Sequence, residues 1–274
     1  MFRGNAAVLR GGAIAAFLSC SLTFSGGTEV VGNDAADSGG GIALHNSSLR
    51  AGSLGPGGCY TNLNGSSMPT MVQLSENEVT SQSGRGGAIW GTAMSMIDLW
   101  DCVNVSSNTA MQEGGGIFLW ADSEIVVRGA VSISRNRALV AGGISAVSRS
   151  SVTLLDGATV RDNKAVAKGG GLALEGSSIV TRGSKIVNNT AKKGGGICAE
   201  AQSKMVLSEE TVLEGNSATL GGGGGLTIDE SSFECRNSSI SNNFGVRYGG
   251  GVHLSQHSRA LLKDCVLHRN QVRC

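Results

Sequence analysis

Ten asparagines recur along the chain at nearly constant spacing: Asn5, Asn33, Asn77, Asn108, Asn136, Asn163, Asn189, Asn216, Asn243 and Asn270. Successive intervals are 28, 44, 31, 28, 27, 26, 27, 27 and 27 residues, so seven of the nine lie within one residue of 27. An apolar residue stands three positions before each, from Phe2 and Val30 to Ile240 and Leu267. After each of the first nine, a small-residue turn leads into an aliphatic anchor: Ile14, Ile42, Ile89, Ile117, Ile144, Leu172, Ile197, Leu226 and Val252. A short period sustained along a whole chain is the signature of a solenoid, in which each repeat buries its apolar face only against its neighbours. Residues 1–274 are therefore expected to form one domain.

The polarity within a repeat says what kind of solenoid. Gly-Ile117-Phe-Leu119 and Gly-Leu172-Ala-Leu174 alternate with period two, the pattern of a strand with one buried face. A second strand follows a serine, as in Ser123-Glu-Ile125-Val-Val127 and Ser151-Val-Thr-Leu154, and the apolar-x-x-Asn segment forms a third. Amphipathic helical runs are absent. The expected fold is all-β: a right-handed parallel β-helix of about nine coils of ~27 residues, with three short strands each. At roughly 4.8 Å per coil the rod is about 43 Å long. Composition agrees, since 40% of residues are hydrophobic but only 4% aromatic, which suits a narrow core filled by thin stacked layers.

The repeated residues have structural reasons to recur. The 43 glycines concentrate in Gly-Gly-Gly or Gly-Gly-Ala corners, where a Cβ would meet the next coil. An asparagine at a bend satisfies backbone groups that a buried corner would orphan, and its amide stacks on the next one. The column Asn33, Asn77, Asn108, Asn136, Asn163, Asn189, Asn216, Asn243 and Asn270 is accordingly expected to be an internal ladder rather than a row of ligand contacts.

Gly11-Gly12-Ala13-Ile14, Gly86-Gly87-Ala88-Ile89 and Phe2-Arg3-Gly4-Asn5 together resemble the repeats of chlamydial polymorphic outer-membrane proteins, a family of autotransporter adhesins. Elsewhere Val, Ile or Leu replaces Phe and Gly-Gly-Gly replaces Gly-Gly-Ala, which is similar to the wider class of pectin-lyase-like β-helix proteins. The resemblance extends over the whole chain. It implies a β-helix, and on the adhesin side a surface-displayed passenger domain. The scaffold hosts many activities, so fold does not decide function.

Several classes are disfavoured by the residues themselves. With 22 basic against 21 acidic residues the formal charge is +1, which offers no field for nucleic acid or an anionic membrane. No apolar run is long enough to span a membrane as a helix. Residues 1–26 carry Arg3, Arg10 and a short apolar run, as a secretory leader would, yet Phe2, Asn5, Gly11 to Ile14 and Leu22-Thr-Phe24 fit the coil template, so they are assigned to the solenoid. A polar cap is not evident at either end, and a fragment of a longer rod is expected. Aligned on the asparagines, the seven cysteines share no column between neighbouring coils, so a cross-coil disulfide is not expected. The sequons at Asn46, Asn64, Asn104, Asn188 and Asn237 are attributed to an Asn- and Ser-rich composition.

Three features remain as functional candidates. The 44-residue interval places an insertion at 52–69, which holds both prolines, Cys59 and Tyr60. Such a loop either shapes a binding groove or is tolerated without function. On the outward rows of the strand after the glycines, Trp90, Phe118 and Trp120 are expected to cluster, as a platform for sugar rings or a footing for the loop. On the same rows Glu175, Glu200 and Asp229 form a carboxylate column that either takes Ca²⁺ or is offset by Lys168, Lys192 and Lys193. The neighbouring lysines favour the second alternative.

Enzymatic patterns are weak. The acids form no adjacent Asp-Asp pair, His45, His253, His257 and His268 have no partner at metal or triad spacing, and the glycine turns lack the Lys-Ser or Lys-Thr of a phosphate loop. The expectation is a non-enzymatic, extracellular or cell-surface β-helix without a cofactor, presenting an extended face to glycans or surface proteins. The alternative is a pectin-lyase-like polysaccharide lyase or glycoside hydrolase with some catalytic residues outside this chain.

Overall fold

The computed structural model describes residues 1–52 and 71–273; the insertion expected at 52–69 lies almost entirely outside the described residues. Every described element is a strand and every pairing is parallel, giving a β-solenoid of about nine turns. Strands from successive coils stack into four sheets, two of ten strands and two of nine. One coil illustrates the path. The first sheet takes Val131–Ser134, the second Arg137–Val140, the third Ile144–Val147 and the fourth Ser151–Leu155.

The three strands read from the sequence are the first, third and fourth. The second follows each asparagine and in most coils is only two residues long, as in Glu78–Val79 and Thr109–Ala110. Two residues are too few to show alternation, so the sequence pattern concealed this sheet.

The anchors pair in register, Ile89 with Ile117 and Ile117 with Ile144, and those from Ile42 to Leu226 are fully buried. Together with the inward residues of the first and fourth sheets they form one continuous core. Register is fixed because a slip of one residue would turn that whole set outward.

Corners are where the chain departs from ordinary geometry. The residue before each asparagine is left-handed in every coil, from Gly4 at φ 62° through Arg135 at 56° to Arg269 at 52°. Within the glycine triplet, Gly114 has φ +63° and a Cβ there would lie 2.3 Å from the Ile117 carbonyl oxygen. No side chain fits that space.

The asparagine column is a ladder without a break. The Asn136 backbone N–H and Nδ2 both donate to Asn163 Oδ1 at 3.0 Å, and Nδ2 also donates to the Val105 carbonyl at 3.0 Å. The pattern persists across the 44-residue interval, where Asn33 Nδ2 donates to Asn77 Oδ1 at 2.9 Å. A second ladder uses serine. The backbone N–H of Ser123 donates to Ser150 Oγ, that of Ser150 to Ser177 Oγ and that of Ser177 to Ser203 Oγ. The serine read as a strand boundary is thus a second buried spine.

One cysteine expectation is overturned. Cys235 and Cys265 form a disulfide with Cα atoms 6.2 Å apart, and Cys102 is disulfide-bonded as well. Cys235 is an inward residue of the fourth sheet and Cys265 sits at the next coil's corner. Different columns still meet because the lumen is narrow, and their spacing lies within ordinary disulfide reach. Cys20 and Cys198 are free thiols.

Candidate groove on the third sheet

The outer face of the third sheet carries both side-chain clusters expected from the sequence. It is bordered by a column four residues before each anchor: Arg10, Ser38, Arg85, Glu113, Val140, Lys168 and Lys193. Parallel pairing connects all of these in series. Their side chains lean over the sheet and decide whether it is covered.

Over the first half it is covered. Trp90 pairs in register with Phe118, as expected, and both pack with Ala43 and Val147. Both rings are buried, at 6% and 2% exposure, because the Arg10 guanidinium lies 4.7 Å from the Trp90 ring centre and that of Arg85 lies 5.2 Å from Phe118. Arg10 and Arg85 are held in turn by Asp37 and Glu113. Only Trp120 faces outward, at 48% exposure, with Nε1 donating to Ser148 Oγ at 3.2 Å. Trp90, Phe118 and Trp120 therefore do not form an open three-ring platform. The sequence placed them on one row but could not show the arginines that cap two of them.

Over the last coils the face is open. Gly222 occupies the bordering position between Lys193 and Tyr248, in a coil with ten residues from Asn216 to Leu226 where the preceding coil has eight. No side chain projects there. The result is a cavity of about 490 Å³ bordered by Lys193, Glu200, Asp229, Arg247, Tyr248 and His253. It continues into a second cavity of about 370 Å³ that reaches Lys168 and Glu175 and shares Glu200, Asp229 and Gln256 with the first. Both lie in the size range of small-molecule and saccharide sites.

The groove is polar with one aromatic wall. The Tyr248 ring stacks on His253 with centroids 4.8 Å apart and planes 18° from parallel. Glu175 is in register with Glu200, as the carboxylate column required, and Lys168 is ion-paired to Glu200. The Cys198 thiol, buried beside them, donates to Glu200 Oε1 at 3.5 Å, and burial together with the Glu200 charge holds it far above the usual thiol range. Burial is the largest single influence on the Lys168 ammonium and works against it, but the hydrogen bond and charge of Glu200, with Cys198 and Glu175 beside it, together outweigh burial and raise its pKa. His253 is pushed below its ordinary value, chiefly by burial, with Lys193 adding to the effect and Asp229 opposing it. Asp229 Oδ1 and His253 Nδ1 are buried without a hydrogen-bond partner among the described residues.

Tyr248 and Arg247 were not singled out from the sequence, and His253 was seen as partnerless. The signal was present: Tyr248 stands four residues before Val252, the position held by arginine or lysine in four other coils. Among the described residues no group of three or more His, Cys, Asp or Glu side chains is arranged to hold a metal ion. No described helix is long and apolar enough to cross a membrane.

A family model for the right-handed β-helix region matches residues 115–274, more than half of the chain. The protein belongs to the right-handed β-helix family. No curated protein and no solved structure matches the chain significantly.

Proposed function

We propose that this protein is a non-enzymatic, extracellular or cell-surface β-helix that binds glycans through the groove on its third sheet. The observation that carries this reading is the open groove that sets the Tyr248–His253 stack beside Lys193, Glu200 and Asp229. An aromatic face takes the apolar face of a sugar ring, while carboxylate, imidazole and ammonium groups take its hydroxyls. The half-open shape suits part of an extended chain rather than an engulfed metabolite. The Cys235–Cys265 disulfide favours an oxidising compartment, and the resemblance to polymorphic outer-membrane repeats supports display at a surface.

A second reading is a polysaccharide lyase or glycoside hydrolase, which Glu200 and Asp229, lining the same groove from adjacent coils, favour. Strands there are about 4.8 Å apart, close to the separation of a retaining carboxylate pair. One experiment separates the two. The purified protein is screened on a glycan array and incubated with each bound glycan, with polygalacturonate and with alginate, while reducing and unsaturated ends are assayed. Binding without product, lost in Tyr248→Ala and Asp229→Asn, is the expected result. Product formation that disappears in Asp229→Asn would install the enzyme reading, and an array on which both variants bind like wild type would remove the groove from either.

A further inference from the structure

A different face carries a group of charges that the groove does not use. On the second sheet, Arg137 and Lys164 are register partners on adjacent coils, and both are exposed. Like charges directly opposite one another on neighbouring strands repel. Arg135, exposed at the left-handed corner with φ 56°, joins them around a cavity of about 370 Å³, which is completed by Ser107, Thr109 and Asp162.

The three cations outnumber the acids around them. None of them takes part in the ion pairs among the described residues. The one carboxylate in the cavity, Asp162, is held by Arg161 at 2.8 Å. Along the column the next acid is Glu78, which pairs with Thr109 and so lies two coils from Arg137. That is roughly 10 Å, about one Debye length in physiological salt. Elsewhere on the rod cations meet acids across coils, as Arg149 meets Asp122 and Arg128 meets Asp98. Three converging cations with hydroxyls at the rim, in a chain of net charge +1, are a local departure from that rule.

We infer that Arg135, Arg137 and Lys164 form a binding site for a tetrahedral oxyanion, a sulfate or phosphate ester. Two guanidinium forks and a point ammonium suit its several oxygens, and Ser107 and Thr109 supply further donors. The site lies on a different sheet from the groove and does not depend on what the groove binds.

The test titrates the protein by calorimetry with inorganic sulfate, inorganic phosphate, a sulfated oligosaccharide and the same oligosaccharide desulfated. Arg137→Gln with Lys164→Gln is compared with Lys204→Gln with Lys263→Gln, which removes equal charge from the fourth sheet. The expected result is that a sulfated or phosphate-bearing probe binds, that the Arg137/Lys164 variant loses at least about tenfold in affinity, and that the control pair keeps wild-type affinity. Because the removed charges repel one another, that variant is also expected to unfold no earlier than wild type without ligand, so a loss of binding is not a loss of fold. Binding of the inorganic ions identifies the free anion as sufficient, whereas binding of the sulfated oligosaccharide alone identifies the ester on a glycan as the source. Equal loss in the control pair, equal binding of the desulfated probe, or no binding of any probe overturns the inference.

Discussion

The outer face of the third sheet is one surface built twice. Around Trp90 and Phe118 the bordering column supplies Arg10 and Arg85, each tied to an acid, and their guanidinium groups seal the rings. Around Asp229 and His253 the same column supplies Gly222, and the face stays open. Backbone register is the same in both regions, since Ile89 pairs with Ile117 as Leu226 pairs with Val252. In this fold a site is therefore made by omitting a side chain from a repeat that elsewhere covers itself. The contrast also explains why an aromatic cluster can be structural here and a mixed polar cluster functional. Buried rings are satisfied by packing, whereas buried polar atoms need partners.

If the two regions share one scaffold and differ only in their cover, substitutions in the shared ladder should cost the same under both. Asn136→Ala, below the covered half, removes an acceptor used by the Asn108 backbone N–H and Nδ2, and frees the Val105 carbonyl. Asn216→Ala does the same to Asn189 and Ile186 below the groove. Each is expected to cost about 3–5 kcal/mol, from two or three buried groups left unsatisfied at about 1–3 kcal/mol apiece. Urea unfolding measures both. A large inequality between them would break the claim of a uniform scaffold.

Face substitutions should instead separate the halves. Trp90→Ala is expected to cost about 3 kcal/mol of stability, as for a buried aromatic, and to leave glycan binding unchanged. Tyr248→Ala, on an exposed ring, is expected to leave the unfolding midpoint nearly unmoved and to weaken binding roughly tenfold. Binding lost in Trp90→Ala with its fold intact would reverse the assignment of the two regions.

Legibility in the sequence followed the same divide. The asparagine period, the anchors and the glycine corners were readable because every coil repeats them, so a single column reports the environment of all its members. The second sheet and the serine ladder were missed or half seen, since two-residue strands show no alternation and a serine carries no sign of its partner one coil away. Trp90, Phe118 and Trp120 were placed on the correct row, yet the burial of Trp90 and Phe118 depends on Arg10 and Arg85, which stand 80 and 33 residues before the rings they cap. The groove was the hardest to see. It arises from Gly222, a glycine among five, and from the meeting of Tyr248 with His253 at the end of the rod. Cys235 and Cys265 were hidden for a related reason: a sequence alignment shows columns, and their contact crosses columns through the lumen.

That disulfide bears on the comparison as well. It joins the coil of Asp229 to the coil of Tyr248 and His253, and so lies beneath the open region only. Cys235→Ser with Cys265→Ser is expected to lower stability by about 2–3 kcal/mol. In a solenoid, whose repeats are stabilised by nearest neighbours, that loss should concentrate in the last coils. Hydrogen exchange would show faster protons from Leu226 onward and unchanged protons around Trp90. Uniform acceleration along the rod would mean that the two regions unfold as one unit.

The smallest expected effect is a dependence on pH, and it too should belong to the open half. His253 is less basic in the folded protein than the ordinary value of 6.5, mainly because of burial. The unfolded chain therefore takes up this proton first as the pH falls. Stability associated with His253 is fully present above pH 6.5 and declines as the pH drops from there toward the folded pKa. Solvent screening at a half-buried ring keeps the effect modest. Protonation also adds a donor to the imidazole and so alters the groove's hydrogen-bonding pattern without touching Trp90 or Phe118. Unfolding midpoints of wild type and His253→Gln, compared between about pH 8 and pH 5, should diverge in the acidic half, with wild type the steeper of the two. Parallel curves would assign the acid sensitivity to other groups and leave Tyr248 and Asp229 as the determinants of the groove.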